Sequence, residues 1–293
     1  MSKLSEKLKN KLFAVTSEIG PPKGVDIKGP LEEAEKLLKD SVVAVNVTDN
    51  QSAVMRVGSM AVCHLLKQKG IEPVFQMVTR DRNQIALQSD LLSAWTLGIE
   101  NVLCLTGDHN SMGDHQESKS VYDLDSVQLL KAVTGLNEGH DIAGNELEGS
   151  PNFFQGAVVT PEYDPVELQI IKMKKKLDAG AKFFQTQAVF EVKTFENFMK
   201  KVEKFNVPVM AGIVVLKSAG MANFMNKNIA GVFVPDDIIK EMADTEKNDR
   251  KKKAIEISAR IIRKLKPMCQ GVHIMPLGWD DTVPSIIKEA DLA

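Results

Sequence analysis

Short apolar runs alternate with longer amphipathic ones along nearly the whole chain. Eight runs read as strands: Leu12–Ser17, Val42–Thr48, Pro73–Val78, Asn101–Leu105, Phe153–Thr160, Ala181–Thr186, Val207–Leu216 and Gly271–Met275. Helical periodicity fills the spaces between them, at Leu31–Leu38, Val54–Lys69, Asn83–Leu97, Asp125–Val133, Pro165–Ala179 and Thr194–Phe205. A pair of helices follows at Met221–Asn228 and Pro235–Ala243, then a long one at Arg250–Leu265 and a last one at Val283–Ala290. Strict strand–helix alternation implies parallel strands joined by right-handed crossovers. Eight such units in a chain of 293 residues predict a closed (β/α)8 barrel, the TIM-barrel class, rather than an open sheet. No Gly- or Ser-rich linker divides the sequence, so residues 1–293 are expected to form one barrel domain.

The stretch Thr79–Asp108 shows the unit most clearly. Leu87, Leu91, Ala94 and Trp95 recur at helical spacing, and Gly98 follows as a stop. Asn101–Leu105 is then almost wholly apolar, as a strand buried on both faces should be. It ends abruptly in Thr106-Gly107-Asp108, the place where ligands gather in parallel α/β folds. Other strands finish in the same way: Glu18 after the first, Thr48 and Asp49 after the second, Gln76 and Thr79 at the third. Thr160 closes the fifth, and Gln185 and Gln187 the sixth. This pattern locates a site without identifying a reaction. The polar stretches His109–Asp123 and Leu136–Asn152 exceed ordinary connections, so lids or ligand clamps are expected there, with plain disorder the competing reading.

Composition narrows the class. Hydrophobic residues at 43% supply a core, and a net charge of −2 gives no reason to expect nucleic acid. No run of about 18 apolar residues offers a membrane span. The opening MSKLSEKLKNKL lacks an apolar signal core and reads as a short amphipathic helix, so a cytoplasmic protein is expected. Cys63, Cys104 and Cys269 are widely spaced, consistent with a reducing compartment and without a metal-ligand pattern. His64, His109, His115 and His140 have no carboxylate or Cys spacing that suggests a metal, and His273 reads as a satisfied barrel histidine.

Four segments, each at a strand end, together resemble the methylenetetrahydrofolate reductase family. They are Thr16-Ser-Glu18-Ile-Gly-Pro21-Pro22, Thr79-Arg-Asp-Arg-Asn through Asp108, Asp178-Ala-Gly-Ala-Lys-Phe-Phe-Gln-Thr-Gln187, and Gly271-Val-His-Ile-Met-Pro. The resemblance runs from about Phe13 nearly to the C-terminus and implies a (β/α)8 barrel. It implies a flavin enzyme, with FAD expected and FMN the alternative, that reduces 5,10-methylenetetrahydrofolate to 5-methyltetrahydrofolate. Electrons would come from NAD(P)H or a protein donor.

By the same resemblance Glu18 is the general acid. The folate must open to an iminium before hydride reaches it, and ring opening needs a proton at the departing nitrogen. Asp108 matches a family Asp that lies near both flavin and pterin, where a carboxylate favours a cation. Gln187 matches a Gln that helps place the folate. The flavin positions fall on Thr48, Gln76, Thr106, Gly107, Asp108, Tyr122, Thr160 and Lys176. Plainer roles compete with each: a solvated carboxylate for Glu18, a helix N-cap for Asp108, a loop amide for Gln187, one more solvated charge for Lys176. The segment Val272–Trp279 is similar to the short reductases of anaerobic one-carbon pathways, some of which work with a partner protein. A homo-oligomer or a subunit of a reductase complex is therefore expected. Two other readings stay open: a non-redox folate-binding subunit of a methyl-transfer complex, and a phosphate-binding barrel lyase.

Overall fold

The computed structural model describes residues 1–292. Eight parallel strands close into a barrel in sequence order: β1 (Ala14–Ile19), β2 (Ala44–Val47), β3 (Pro73–Val78), β4 (Asn101–Leu105), β5 (Phe154–Val159), β6 (Phe183–Ala188), β7 (Val209–Val214) and β8 (Gly271–Met275). β8 returns to β1, with Ala14 opposite Gly271 and Thr16 opposite His273. The predicted (β/α)8 barrel is therefore what the chain forms.

Helices α1 (Lys3–Lys9), α2 (Lys28–Leu37), α3 (Ser59–Gln68), α4 (Gln84–Thr96), α5 (Ser126–Asn137) and α6 (Val166–Asp178) occupy the first two thirds. α7 (Val192–Val202), α8 (Ala219–Asn228), α9 (Asp236–Ala243), α10 (Arg250–Leu265) and α11 (Val283–Glu289) follow. The helix expected from Val54 starts only at Ser59. Before it, Gln51–Ala53 forms a single 3-10 turn, and the Met55 and Arg56 N–H groups are taken by the Asp114 and Asn50 side chains. The long segment expected to begin at Leu136 is partly helix, because α5 runs on to Asn137; beyond it His140 and Glu146 form an antiparallel bridge.

The core has two layers. Inside the ring, Ala14, Ala44, Val74, Leu103, Phe154, Phe183 and Met210 pack with Leu4 and Leu8 of α1. The N-terminal helix is thus a plug: its apolar face closes the amino ends of the strands. Ser2 and Asn101 fasten it, the Ser2 hydroxyl donating to Asn101 Oδ1 at 2.6 Å and Asn101 Nδ2 donating to Glu72 Oε1 at 2.9 Å. The Phe154 and Phe183 rings stack with centroids 5.0 Å apart, over Gly156, where any Cβ would sit 2.3 Å from the Phe183 ring. The second layer lies between strands and helices and holds outward-facing residues such as Val45, Phe75, Val102 and Phe184. Each fully buried side chain of this kind contributes about 1.5–3 kcal/mol. With the amino end of the barrel closed by α1, the carboxyl end is left for chemistry.

Candidate active site

Side chains alternate along a strand, so the residue two beyond an inward one also faces inward. Two steps above the apolar plug, the barrel interior turns polar. Thr16, Asn46, Gln185 and His273 are all buried there, and they bond to one another. Asn46 Nδ2 donates to Gln185 Oε1 at 2.9 Å, and Gln185 Nε2 lies 3.3 Å from Asn46 Oδ1 and 3.5 Å from Thr16 Oγ1. Thr16 Oγ1 is 3.0 Å from His273 Nδ1. Two residues further up β1 stands Glu18, 7% exposed, with Oε2 3.5 Å from His273 Nε2. Glu18 is therefore not a solvated carboxylate. Thr48, two residues beyond Asn46, is also buried, and its Oγ1 has no hydrogen-bond partner among the described residues. A buried hydroxyl left unpaired costs free energy unless something satisfies it.

The ends of β2 and β3 are tied by ion pairs, and that of β4 by a hydrogen bond. Asp49 accepts from the Val78 N–H at 2.9 Å and from Arg82 Nη1 at 2.8 Å, and Arg82 reaches on to Asp90 at 2.9 Å. Arg80, 2% exposed, pairs with Asp81 at 2.7 Å. It also donates to the carbonyls of Asp108 at 3.1 Å and Asn50 at 3.2 Å. The Asp81 hydrogen bond raises the Arg80 pKa further above its ordinary value.

These ties shape the approach to Asp108. Gly107 has φ +87°, and a Cβ there would press on Val78 at 3.1 Å, so this turn is built for glycine. The Asp108 carbonyl receives both Arg80 and the Tyr122 hydroxyl, the latter at 3.1 Å, while the residue itself is exposed. Asp108 is not the cap of the next helix; Asp125 is, in a capping box with Gln128. Tyr122 holds a left-handed φ of +43°. Burial raises the pKa of its hydroxyl, Asp108 and Asp81 push the same way, and Arg80 opposes them. Thr106 is exposed and accepts from the Ser126 N–H at 3.2 Å.

Gln187 is half-buried at the end of β6. Its Oε1 accepts from the Ala188 N–H at 3.0 Å, and its Nε2 donates to no acceptor among the described residues. Gln76 is buried in β3, and Thr160 follows β5 in close packing with Gly231. Lys176 lies apart from the others. It projects from α6 into the layer outside the ring of strands, where its ammonium donates to the Val158 carbonyl at 2.6 Å. Burial lowers its pKa to about 8, helped by the charge of Lys172 and opposed by Cys104 and Asp125. It is not one more solvated charge of the lysine run.

The structure thus gathers Glu18, Thr48, Gln76, Thr106, Gly107, Asp108, Tyr122, Thr160 and Gln187 at the carboxyl ends of the strands, with Lys176 set beneath β5. Sequence reading gave no role to Arg80, Arg82 or Asn46, although Thr79-Arg-Asp-Arg stood out as a motif, and it named Asp49 only as a polar strand end. A groove of about 660 Å³ lined by Ile85, Leu92, Leu97 and Leu147 runs between α4 and the segment after α5. None of the residues above lines it.

The methylenetetrahydrofolate reductase family model matches residues 3–291. The chain belongs to this family. Among its relatives is a probable methylenetetrahydrofolate reductase (NADPH) of Caenorhabditis elegans, 23% identical over 94% of this chain and 42% of that one. A 5,10-methylenetetrahydrofolate reductase of Buchnera aphidicola is 27% identical over 67% of this chain and 63% of that protein. The chain therefore spans less than two thirds of the length of these family members. A Clostridium thermocellum protein that binds two copies of 5-methyl-5,6,7,8-tetrahydrofolic acid superposes with TM-score 0.66 at 17% identity, over 99% of both chains. 2,3-Dimethylmalate lyase superposes with TM-score 0.54 at 10% identity. At such identities the structural likenesses establish the barrel alone. No helix of the described residues is long and apolar enough to cross a membrane.

Proposed function

We propose that this family member reduces 5,10-methylenetetrahydrofolate to 5-methyltetrahydrofolate at the carboxyl end of the barrel, with the help of a bound flavin, FAD before FMN. The observation that carries this reading is Glu18: a carboxyl withdrawn from water at the end of β1, in the same barrel mouth as Asp108 at the end of β4. Opening the methylene bridge requires one group to give a proton and another to favour the cation that results. Glu18 would donate its proton to the departing nitrogen of the folate. The Asp108 carboxylate, in no ion pair among the described residues, would attract the iminium by Coulomb's law. Gln187, with an unused amide N–H, would hydrogen-bond the pterin and fix its orientation.

The residues also fit a flavin. The Thr48 hydroxyl is buried and unpartnered, so a polar ring edge would satisfy it. Gly107 lets backbone approach a planar group, and Thr106 and Tyr122 border the same turn. Lys176 would add positive charge from beneath β5 for a phosphate. A flavin bound here supplies hydride exchange; everything else in the reaction is acid, charge and orientation. If one face serves donor and folate in turn, the kinetics are ping-pong. The donor would be NAD(P)H or a reduced protein partner.

The test is an absorbance spectrum of the purified protein, reconstituted with FAD if colourless, followed by anaerobic methyltetrahydrofolate. A flavin spectrum that bleaches supports the reading. Absence of flavin binding sinks it and favours a folate-binding subunit without redox chemistry.

A further inference from the structure

We infer that Glu162 is a positioning residue for the cofactor end of the site: while ionised, its carboxylate ties the turn after β5, which carries Thr160, to the start of α7 and to the connection between α8 and α9. The consequence for flavin rests on the reading above; the tie itself does not.

The turn closes directly after the strand, with the Tyr163 N–H donating to the Thr160 carbonyl at 3.3 Å. From it the Glu162 side chain reaches two distant stretches of chain. Its Oε2 accepts from the Phe233 N–H at 2.8 Å, and its Oε1 from the Glu191 N–H at 3.3 Å. Phe233 lies 71 residues away and Glu191 29, so one side chain pins three separate loops. A second contact runs beside it. Gly231 has φ +74°, and a Cβ there would sit 2.2 Å from Thr160 Cγ2 and 3.5 Å from the Tyr163 Cα. Thr160 is thus wedged against the same connection that Glu162 holds. A shift of Phe233 against the turn is therefore felt at Thr160.

Among the described residues no cation pairs with this carboxylate. The segments packed against it carry Glu191, which caps α7 through the Thr194 N–H at 2.6 Å, and Lys193, which pairs with Glu196 at 2.9 Å. Asp236 and Asp237 open α9, Lys227 ends α8, and Asp164 follows on the turn itself. The donors to Glu162 are backbone amides alone. Burial raises its pKa to about 7, the Glu191 charge adding to the rise and the N–H groups of Phe233, Glu191 and Phe190 opposing it. A carboxylate beside a cation would stay ionised through the neutral range, whereas this one changes form within it.

The two forms differ in what they hold. When Glu162 is ionised both oxygens accept, and bonds to a charged acceptor are roughly twice as strong as neutral ones. When it is protonated one oxygen carries a hydrogen, so one of the two N–H groups loses its acceptor and the other bond loses its charge. The turn after β5 is then tied to one loop instead of two.

The experiment follows the ¹H–¹⁵N amide signals of Glu191, Phe233 and Thr160 in the full chain, without added flavin, between about pH 5 and pH 9. All three should titrate with one shared midpoint near 7, and in Glu162→Gln none should. The Kd for FAD is then measured across the same range. In the wild type it should rise about fivefold as pH falls through this midpoint, the difference between a charge-assisted and a neutral hydrogen bond. Glu162→Gln, whose amide presents one acceptor at any pH, should lack that rise and stay near the low-pH value of the wild type. Phe233 and Glu191 amides that do not titrate, or that titrate unchanged in Glu162→Gln, overturn the inference. So does a Thr160 signal that does not follow them, or an FAD Kd with the same pH dependence in both proteins. If Glu162→Gln does not fold, the shared midpoint in the wild type decides alone. Failure of the flavin reading looks different: FAD then binds neither protein at any pH, while the three amides still titrate together and support the tie.

Discussion

Arg80 holds Asp108 by its backbone: the guanidinium Nη1 donates to the Asp108 carbonyl at 3.1 Å, from a side chain only 2% exposed. The main chain of Asp108 is thereby fixed, while its carboxylate has no ion-pair partner among the described residues. The same guanidinium binds Asp81 through two nitrogens, Nε at 2.8 Å and Nη2 at 2.7 Å. Arg80→Met should therefore destabilise the fold and loosen the turn that presents Asp108. A fully buried pair broken on one side costs about 3–5 kcal/mol, and Asp81 is partly exposed, so about 2 kcal/mol is expected. Arg80→Lys keeps the charge but loses the fork, and should recover less than half of that. Urea unfolding of the three proteins checks this; equal midpoints would contradict it.

Lys176 predicts a pH dependence of stability. Its pKa falls from 10.5 to about 8 on folding, chiefly through burial. Between about pH 8 and 10.5 the unfolded chain then binds more protons at this site than the folded one, so its contribution makes stability rise with pH across that window. Below it the cost of the buried cation is fully present. Lys176→Met should thus be more stable than wild type at neutral pH, by about 1–3 kcal/mol, with the gap closing toward pH 10.5. A difference that does not change with pH would contradict the assignment of cause. FAD affinity of the same variant should fall about tenfold if the ammonium also meets a phosphate.

Gly156 tests the packing of the inner layer. A methyl group added there would lie 2.3 Å from the Phe183 ring, beside a stack of two aromatic rings that leaves nowhere to move. Gly156→Ala should cost about 1–3 kcal/mol by overpacking. Gly24, which is exposed and whose added Cβ would meet nothing within 4 Å, is the control for a solvent-exposed glycine. A thermal scan in which Gly156→Ala matches wild type would show that the ring pair is not held in place.

What the sequence made legible and what it hid follow from the range of the forces involved. All eight strands were readable because apolar runs and glycine stops are local: Gly98, at φ +81°, ends the α4 unit where the pattern placed it. Strand ends were readable for the same reason, so Glu18, Asp108 and Gln187 could be named. The plug role of Leu4 and Leu8 was not, because amphipathic spacing says that a face is buried and not against what. Nor could charge count distinguish Lys176 from its exposed neighbours Lys174 and Lys175; only the rotation of α6 against β5 buries it. The Asn46–Gln185 pair spans 139 residues, and such a contact leaves no trace in local composition.

The central claim is that Glu18 gives the proton that opens the folate, and Glu18→Gln tests it most directly. The variant, loaded with flavin, is mixed anaerobically with methyltetrahydrofolate in a stopped-flow spectrophotometer, and the flavin absorbance is followed. When the reaction is run from methyltetrahydrofolate, ring closure returns the proton to the Glu18 carboxylate. Glutamine keeps the shape and hydrogen-bonding reach of the side chain but cannot take that proton, so flavin should stay bound and the electron donor should still bleach it. Folate-driven bleaching should fall by at least about 100-fold. Bleaching by methyltetrahydrofolate at the wild-type rate would contradict the account.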